Sequence, residues 1–177
     1  MFRKLVTILT AVFCIIYMYD RNDVSNIEQQ VSSVLGITYV ADNIEYSEQD
    51  LKCLARNIYY EAGTESKMGK LAVAHVTINR LKTKYWGNTI CKVVYSPAQF
   101  SWTLNSHLPA PDPFKWYESM EIATNVLHGA RVSGLNHSLF YHAVYIPAPK
   151  WADPHEVAGQ IGQHVFYNHA KNSWLTL

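Results

Sequence analysis

Glu61 is the residue whose surroundings best suit acid–base chemistry. It closes a helical stretch, where the helix dipole disfavours a negative charge, and its immediate neighbours are Tyr59, Tyr60 and Ala62. A carboxyl group so placed has its pKa raised, which suits a general acid at neutral pH. A solvated helix-end glutamate fits the same letters, so the local sequence leaves both roles open. The other carboxylates have simpler duties. Glu65 lies in the following turn, where the dipole of the next helix favours a negative charge. Asp112 precedes Pro113 and reads as an N-cap, while Glu118 and Glu121 lie off the apolar stripe of their helix. Histidine is plentiful, with eight copies. A zinc site needs three convergent ligands and an open position for water. The pairs His137/His142 and His164/His169 form no His-Glu-x-x-His motif, so no metal ligands are assigned and no cofactor is expected.

The elements that must position Glu61 are written in caps and stripes. Ser47-Glu48-Gln49-Asp50 is a capping box, and Leu51, Leu54, Ala55 and Ile58 follow it at helical spacing. Gly63 is a natural stop, so this helix ends near Glu61 or Ala62. A second helix is expected over Lys67 to Lys84, with Leu71, Ala74, Ile78 and Leu81 as one stripe and Met68, Ala72, His75, Val76 and Asn79 as the next. Asp112-Pro113 announces a third, with Trp116, Met120, Ala123 and Leu127 as its apolar face and Gly129 as its end. Tyr85 to Pro111 reads as irregular and aromatic-rich. After Gly134 the pattern turns strand-like, over Leu139 to Tyr145 and His164 to Tyr167, around a proline-rich loop. Helices first and a small antiparallel sheet late make an α+β fold.

Composition narrows the function classes. A chain of 177 residues with 49% apolar content builds one packed domain plus a short appendage. Its 15 basic and 14 acidic residues leave a net charge of +1, which excludes a nucleic-acid binder that works by phosphate neutralisation. Twelve Tyr and five Trp serve either as core filling or as the lining of a groove for sugar rings.

The first twenty residues differ in kind. Arg3 and Lys4 precede an uncharged run from Leu5 to Tyr19, which Asp20, Arg21 and Asp23 close. This is the order of an export signal or short anchor. The run falls short of the roughly 20 residues that span a bilayer comfortably, and no small-x-small cleavage site stands out. The expectation is an uncleaved signal-anchor over residues 1–20, a linker over 21–46 and the catalytic domain over 47–177, facing outward by the positive-inside rule. Cys14 lies in the anchor. Cys53 and Cys91 remain in the exported part, as a disulfide where the compartment is oxidising or as two buried thiols.

Four blocks together resemble the SleB/CwlJ family of cell wall hydrolases. Leu54-Ala55-Arg56-Asn57-Ile58-Tyr59-Tyr60-Glu61-Ala62, Gly69-Lys70-Leu71-Ala72-Val73-Ala74 and Ile78-Asn79-Arg80 are similar to its opening block. Asn88 to Tyr95 and Gln99-Phe100-Ser101-Trp102 resemble the second, and Phe140-Tyr141, Trp151 and Ile161 to Tyr167 the closing one. The resemblance runs over about residues 50 to 168, in order. It implies a lysozyme-like, lytic-transglycosylase-like fold acting on peptidoglycan, with Glu61 at the family's glutamate position. One such glutamic acid protonates the bridge between N-acetylmuramic acid and N-acetylglucosamine, then as glutamate deprotonates the muramic 6-hydroxyl. That chemistry needs one carboxylate, unlike the two-carboxylate glycosidases.

The resemblance also implies substrate contacts from Tyr60, Gln99, Ser101, Trp102, Tyr141 and His164. Gln99 and Ser101 would meet acetamido groups, with Phe100 turned to the core by strand alternation. Trp102 would stack on a sugar or fill the core, and His164 would orient the glutamate, bind substrate or be a structural histidine. His142 departs from the family's Tyr-Asn pattern and receives no role. The implied partners are peptidoglycan and, through the N-terminal anchor, a membrane; the protein would be a monomer without nucleic acid. It would sit at the inner membrane facing the periplasm, or be released to the envelope, as a host enzyme or a signal-anchored phage endolysin. A zinc-dependent amidase and a non-catalytic peptidoglycan-binding module are the alternatives.

Overall fold

The computed structural model describes Asn26, Gln30, Val34 and residues 36–42 and 44–169. The chain divides into two compact units, residues 1–37 and 38–177. In the first, Asn26, Gln30 and Val34 are helical and exposed. The expected anchor lies outside the described residues, and among these no helix is long and apolar enough to cross a membrane.

The second unit is α+β. Its element order is β1 (Ile37–Tyr39, whose first residue closes the preceding unit), α1 (Glu48–Ala62), α2 (Lys67–Thr83), α3 (Ile90–Val94), a 3-10 turn (Ser101–Leu104), α4 (Pro113–Leu127), β2 (Ala130–Val132), β3 (Phe140–Ala143), a second 3-10 turn (Pro154–Glu156), β4 (Val157–Ile161) and β5 (His164–Tyr167). Strands β1 and β2 pair, while β3, β5 and β4 form an antiparallel sheet in that order. The unit opens nine residues before the expected Ser47 boundary, at Thr38. Its early residues are fastened by ions: Asp42 pairs with both Lys82 of α2 and Arg131 of β2 at 2.6 Å.

Helix α1 starts as the capping box dictates, the Ser47 hydroxyl accepting from Asp50 N–H and the Asp50 carboxylate accepting from Ser47 N–H. The same carboxylate accepts from Cys91 N–H at 3.0 Å, beside a Cys53–Cys91 disulfide that ties α1 to α3. Gly63 ends the helix without adopting a left-handed conformation, at φ −59°. A Cβ there would lie 2.3 Å from the Tyr59 carbonyl oxygen, so the glycine serves close approach.

Helix α2 is buried at every position from Gly69 to Arg80, the signature of a central helix. Leu54 and Ile58 of α1, Val73, Val76 and Ile78 of α2, and Ala123 and Val126 of α4 form the core between the helices. The stretch expected to be irregular holds α3, capped by Thr89, and the first 3-10 turn. Ser101 and Trp102 therefore lie in a helical turn rather than in a strand, although Phe100 is buried as expected, at 2% exposure.

Candidate active site

Helix α1 delivers Glu61 to the seam between the helices and the β3–β5–β4 sheet. Its last turn carries no basic residue, so nothing on its own helix neutralises the half-buried carboxyl. From β3, the Tyr141 hydroxyl donates to Glu61 Oε2 at 3.1 Å. Burial is the largest influence on Glu61 and raises its pKa above the ordinary carboxylate range; the Tyr141 hydrogen bond and the Arg80 charge pull the other way. Burial and the nearby carboxylate push the Tyr141 hydroxyl well above its usual value, so it remains a neutral donor at physiological pH.

Arg80, near the end of α2, is 5% exposed. Its guanidinium carbon lies 5.2, 5.1 and 5.8 Å from the ring centroids of Trp86, Phe100 and Phe140, distances typical of cation–π attraction. Nε donates to the Leu139 carbonyl at 2.7 Å, while Nη1 is buried without a hydrogen-bond partner. Arg80, Ala98, Gln99, Phe140, Tyr141 and Trp151 line an open cleft of about 370 Å³. Glu61 is not among the lining residues and meets the cleft through Tyr141. Ala98 holds φ +59°, the left-handed region that non-glycine residues rarely adopt and that clusters at functional sites.

The structure brings together some of the expected contact residues and separates others. Gln99 and Tyr141 share the cleft. Ser101 is exposed at the start of its turn. Trp102, 7% exposed, donates its indole N–H to Asn57 Oδ1 at 3.0 Å. Its ring stacks on Tyr60 at 5.0 Å and lies under Arg56. Tyr60 also reaches over, donating to the Pro109 carbonyl at 3.2 Å, and Tyr59 accepts from Asp112 N–H at 2.8 Å. The two tyrosines before Glu61 thus pin the loop that leads into α4.

His164 is 6% exposed, with its ring edge on Tyr141 at 5.1 Å and Nδ1 3.5 Å from Glu65 Oε1. Burial, above all, lowers its pKa, against the Glu65 charge. Glu65 is not the solvated dipole partner its position suggests: its side chain is 9% exposed and accepts from Gln163 N–H at 3.1 Å. His142 is structural, its ring nitrogens 2.9 Å from the Ala143 carbonyl and 3.0 Å from the Tyr167 hydroxyl. Among the described residues no group of three His, Cys, Asp or Glu could hold a metal ion.

Fold and site together define an α+β domain in which a desolvated carboxyl group, Glu61, lies where a helix end meets a sheet. The chain belongs to the Cell Wall Hydrolase family, Hydrolase_2, whose model matches residues 64–167. That span opens three residues after Glu61. A spore cortex-lytic enzyme of Oceanobacillus iheyensis is 27% identical over 125 residues, covering 68% of this chain and 42% of the relative. This chain therefore spans about two fifths of that relative's length. Among solved structures, the catalytic domain of the Bacillus cereus SleB protein has a TM-score of 0.54 at 23% identity, over 70% of this chain and 92% of that one. The catalytic domain of the germination-specific lytic transglycosylase SleB from Bacillus anthracis has a TM-score of 0.55 at 24% identity, over 69% and 96%. At these identities the likeness is one of fold.

Proposed function

We propose that this protein cleaves peptidoglycan between N-acetylmuramic acid and N-acetylglucosamine as a lytic transglycosylase, with Glu61 as its acid and base on a lysozyme-like scaffold. The observation that carries the reading is a Glu61 carboxyl desolvated enough to hold a proton beyond the ordinary carboxylate range, and fixed by the Tyr141 hydroxyl. Protonated Glu61 gives its proton to the glycosidic oxygen as the bond to the muramic anomeric carbon breaks. The carboxylate left behind takes the proton of the muramic 6-hydroxyl. That oxygen closes on the anomeric carbon, giving a 1,6-anhydro ring and returning Glu61 to its acid form.

One carboxyl suffices because the nucleophile belongs to the substrate. Glu65, the other carboxylate near the end of α1, is engaged by Gln163 N–H and lies beside His164, which leaves Glu61 to exchange protons. Gln99, in the cleft wall, and exposed Ser101 would hydrogen-bond acetamido groups. Tyr141 and His164 hold the acid's surroundings, while Tyr60 and Trp102 stack on each other. The Bacillus anthracis structure of similar fold is that of a lytic transglycosylase, which supports the reading. The uncharged N-terminal run would carry the domain across the cytoplasmic membrane to its substrate.

The test is mass spectrometry of fragments released from peptidoglycan by the full chain. Anhydro-muropeptides are expected, unaffected by EDTA. Reducing ends would instead make the protein a hydrolysing glycosidase, free stem peptides an amidase, and binding without release a carbohydrate-binding module. Glu61→Gln is expected to abolish release, since removing a general acid costs about 10²- to 10⁴-fold. A Glu61→Gln protein that still releases fragments rules the assignment out.

A further inference from the structure

Arg80 is a permanent positive charge placed where fold stability alone would not put it. A guanidinium stays protonated across any working pH, and burying one with a nitrogen unpaired is costly. Here Nη1 is buried without a partner, Nε is satisfied by the Leu139 carbonyl, and among the described residues no carboxylate forms a salt bridge with the group. Three aromatic rings, Trp86, Phe100 and Phe140, lie within 6 Å of it, where they stand in for water without neutralising it. A tie to Leu139 alone would be met by a neutral donor. The charge needs another reason.

That reason lies next to it. Arg80 and Tyr141 line the same cleft, and Tyr141 donates to Glu61. Tyr141 from β3 and Arg80 from α2 pull on the Glu61 carboxyl, and Glu61 and Tyr141 act on Arg80, whose pKa burial lowers. The three lie together across two helices and a strand, with the His164 ring of β5 edge-on to Tyr141. In the proposed cycle Glu61 alternates between a neutral acid and an anion, and burial works against the anion at each turnover. A fixed cation in a water-poor pocket supplies the opposing pull without having to reorganise.

We infer that Arg80 is a positioning residue which, walled from water by Trp86, Phe100 and Phe140, stabilises the Glu61 carboxylate that forms as the proton is donated. The inference rests on Glu61 being the acid, and its test is separable from that reading.

Two measurements decide it. The first leaves Arg80 intact: ¹⁵N NMR of its guanidinium across pH in the full chain. The Arg80 Nε resonance is expected to titrate with the midpoint of the basic limb of the activity profile, and to lose that titration in Glu61→Gln. A resonance that stays flat across the limb overturns the inference, whatever the activity. The second is Arg80→Met, which keeps the stem and removes the charge. Its kcat, per folded molecule, is expected to fall about tenfold or more with KM within about twofold, and its basic limb to move to higher pH. A folded Arg80→Met protein with the wild-type limb also overturns it. If the NMR coupling is present while the wild-type chain releases no glycan fragments, the Arg80–Glu61 pairing stands and the proposed function falls. Failure of Arg80→Met to fold leaves the NMR result decisive.

Discussion

Replacing Tyr141 by Phe removes one hydroxyl and keeps the ring that lines the cleft and meets His164. The lost contact is the 3.1 Å hydrogen bond to Glu61 Oε2. A bond to a carboxylate contributes about 1.5–3 kcal/mol and one to a neutral group about 1 kcal/mol. The hydroxyl therefore favours the Glu61 anion over the acid by about 1 kcal/mol, the excess of the first figure over the second. Proton donation generates that anion progressively, so kcat should fall by at most about fivefold, the equivalent of that energy at 25 °C. The sign of the pH effect is fixed too. Tyr141 pulls the Glu61 pKa down against the rise due to burial, so without it the acid form persists further and the basic limb moves to higher pH. The assay is kcat and KM for glycan release as a function of pH, with thermal unfolding as the control. A basic limb that stays in place or moves down in a folded Tyr141→Phe protein would show that the hydroxyl does not act on Glu61.

Other consequences concern stability. The Cys53–Cys91 bridge closes a 38-residue separation, and the loop-entropy estimate for that length is about 4 kcal/mol; reducing it, or making Cys53→Ala with Cys91→Ala, should lower Tm by on the order of 15 °C, and an unchanged melt would refute the bridge's role. Gly162 has φ +56°, and a Cβ there would lie 2.0 Å from Glu65 Oε2. Gly162→Ala should lower the stability read from the urea midpoint at constant m by about 2 kcal/mol, part of which Glu65→Ala restores; no restoration would mean that Glu65 does not hold the hairpin. Glu61→Gln should leave stability near the wild-type value at about pH 4 and raise it at about pH 8. The folded wild type holds its Glu61 proton longer than the unfolded chain, so its stability falls as pH rises from the ordinary carboxylate range through the raised value. Melts at both values check this, and a wild type that gains on the variant with rising pH contradicts it.

The parts of the fold legible in the sequence are those specified by adjacent residues. The capping box and Gly63 bound α1, Asp112-Pro113 starts α4, and the strand-like run from His164 to Tyr167 is a strand, all as observed. Strand β4 was hidden because Val157-Ala158-Gly159-Gln160-Ile161 does not alternate cleanly and its pairing slips between Val157 and Gly159. The short α3 offers too few residues for periodicity. The site follows the same rule. Its place at a helix end and in the family's motif singled out Glu61, but the residues acting on it were not visible. Tyr141 is 80 positions away, and its hydroxyl is one of twelve in the chain. Arg80 was hidden by its helix: because α2 is buried on every side, no polar face sets its charge apart, and an arginine in a last helical turn reads as an ordinary partner of the dipole. The burial of Glu65 depends on a glycine and a backbone N–H from the far end of the chain, which no local pattern announces.

The environment of Glu61 governs its proton exchange more than its residue type does. In a glycosidase with two carboxyl groups, the separation between them selects the outcome, because one donates while the other attacks or activates water. With one carboxyl, the same group must be a competent acid before bond cleavage and a competent base after it, so neither form can be strongly preferred. Burial alone would trap Glu61 as the acid, and a direct salt bridge would trap it as the anion. Here burial is opposed by a neutral hydroxyl at 3.1 Å and by a cation that makes no ion pair with it. Groups on β3 and α2 thus oppose the rise that burial gives Glu61, and in the proposed cycle displacing either strand or helix should disable the acid while leaving Glu61 itself in place.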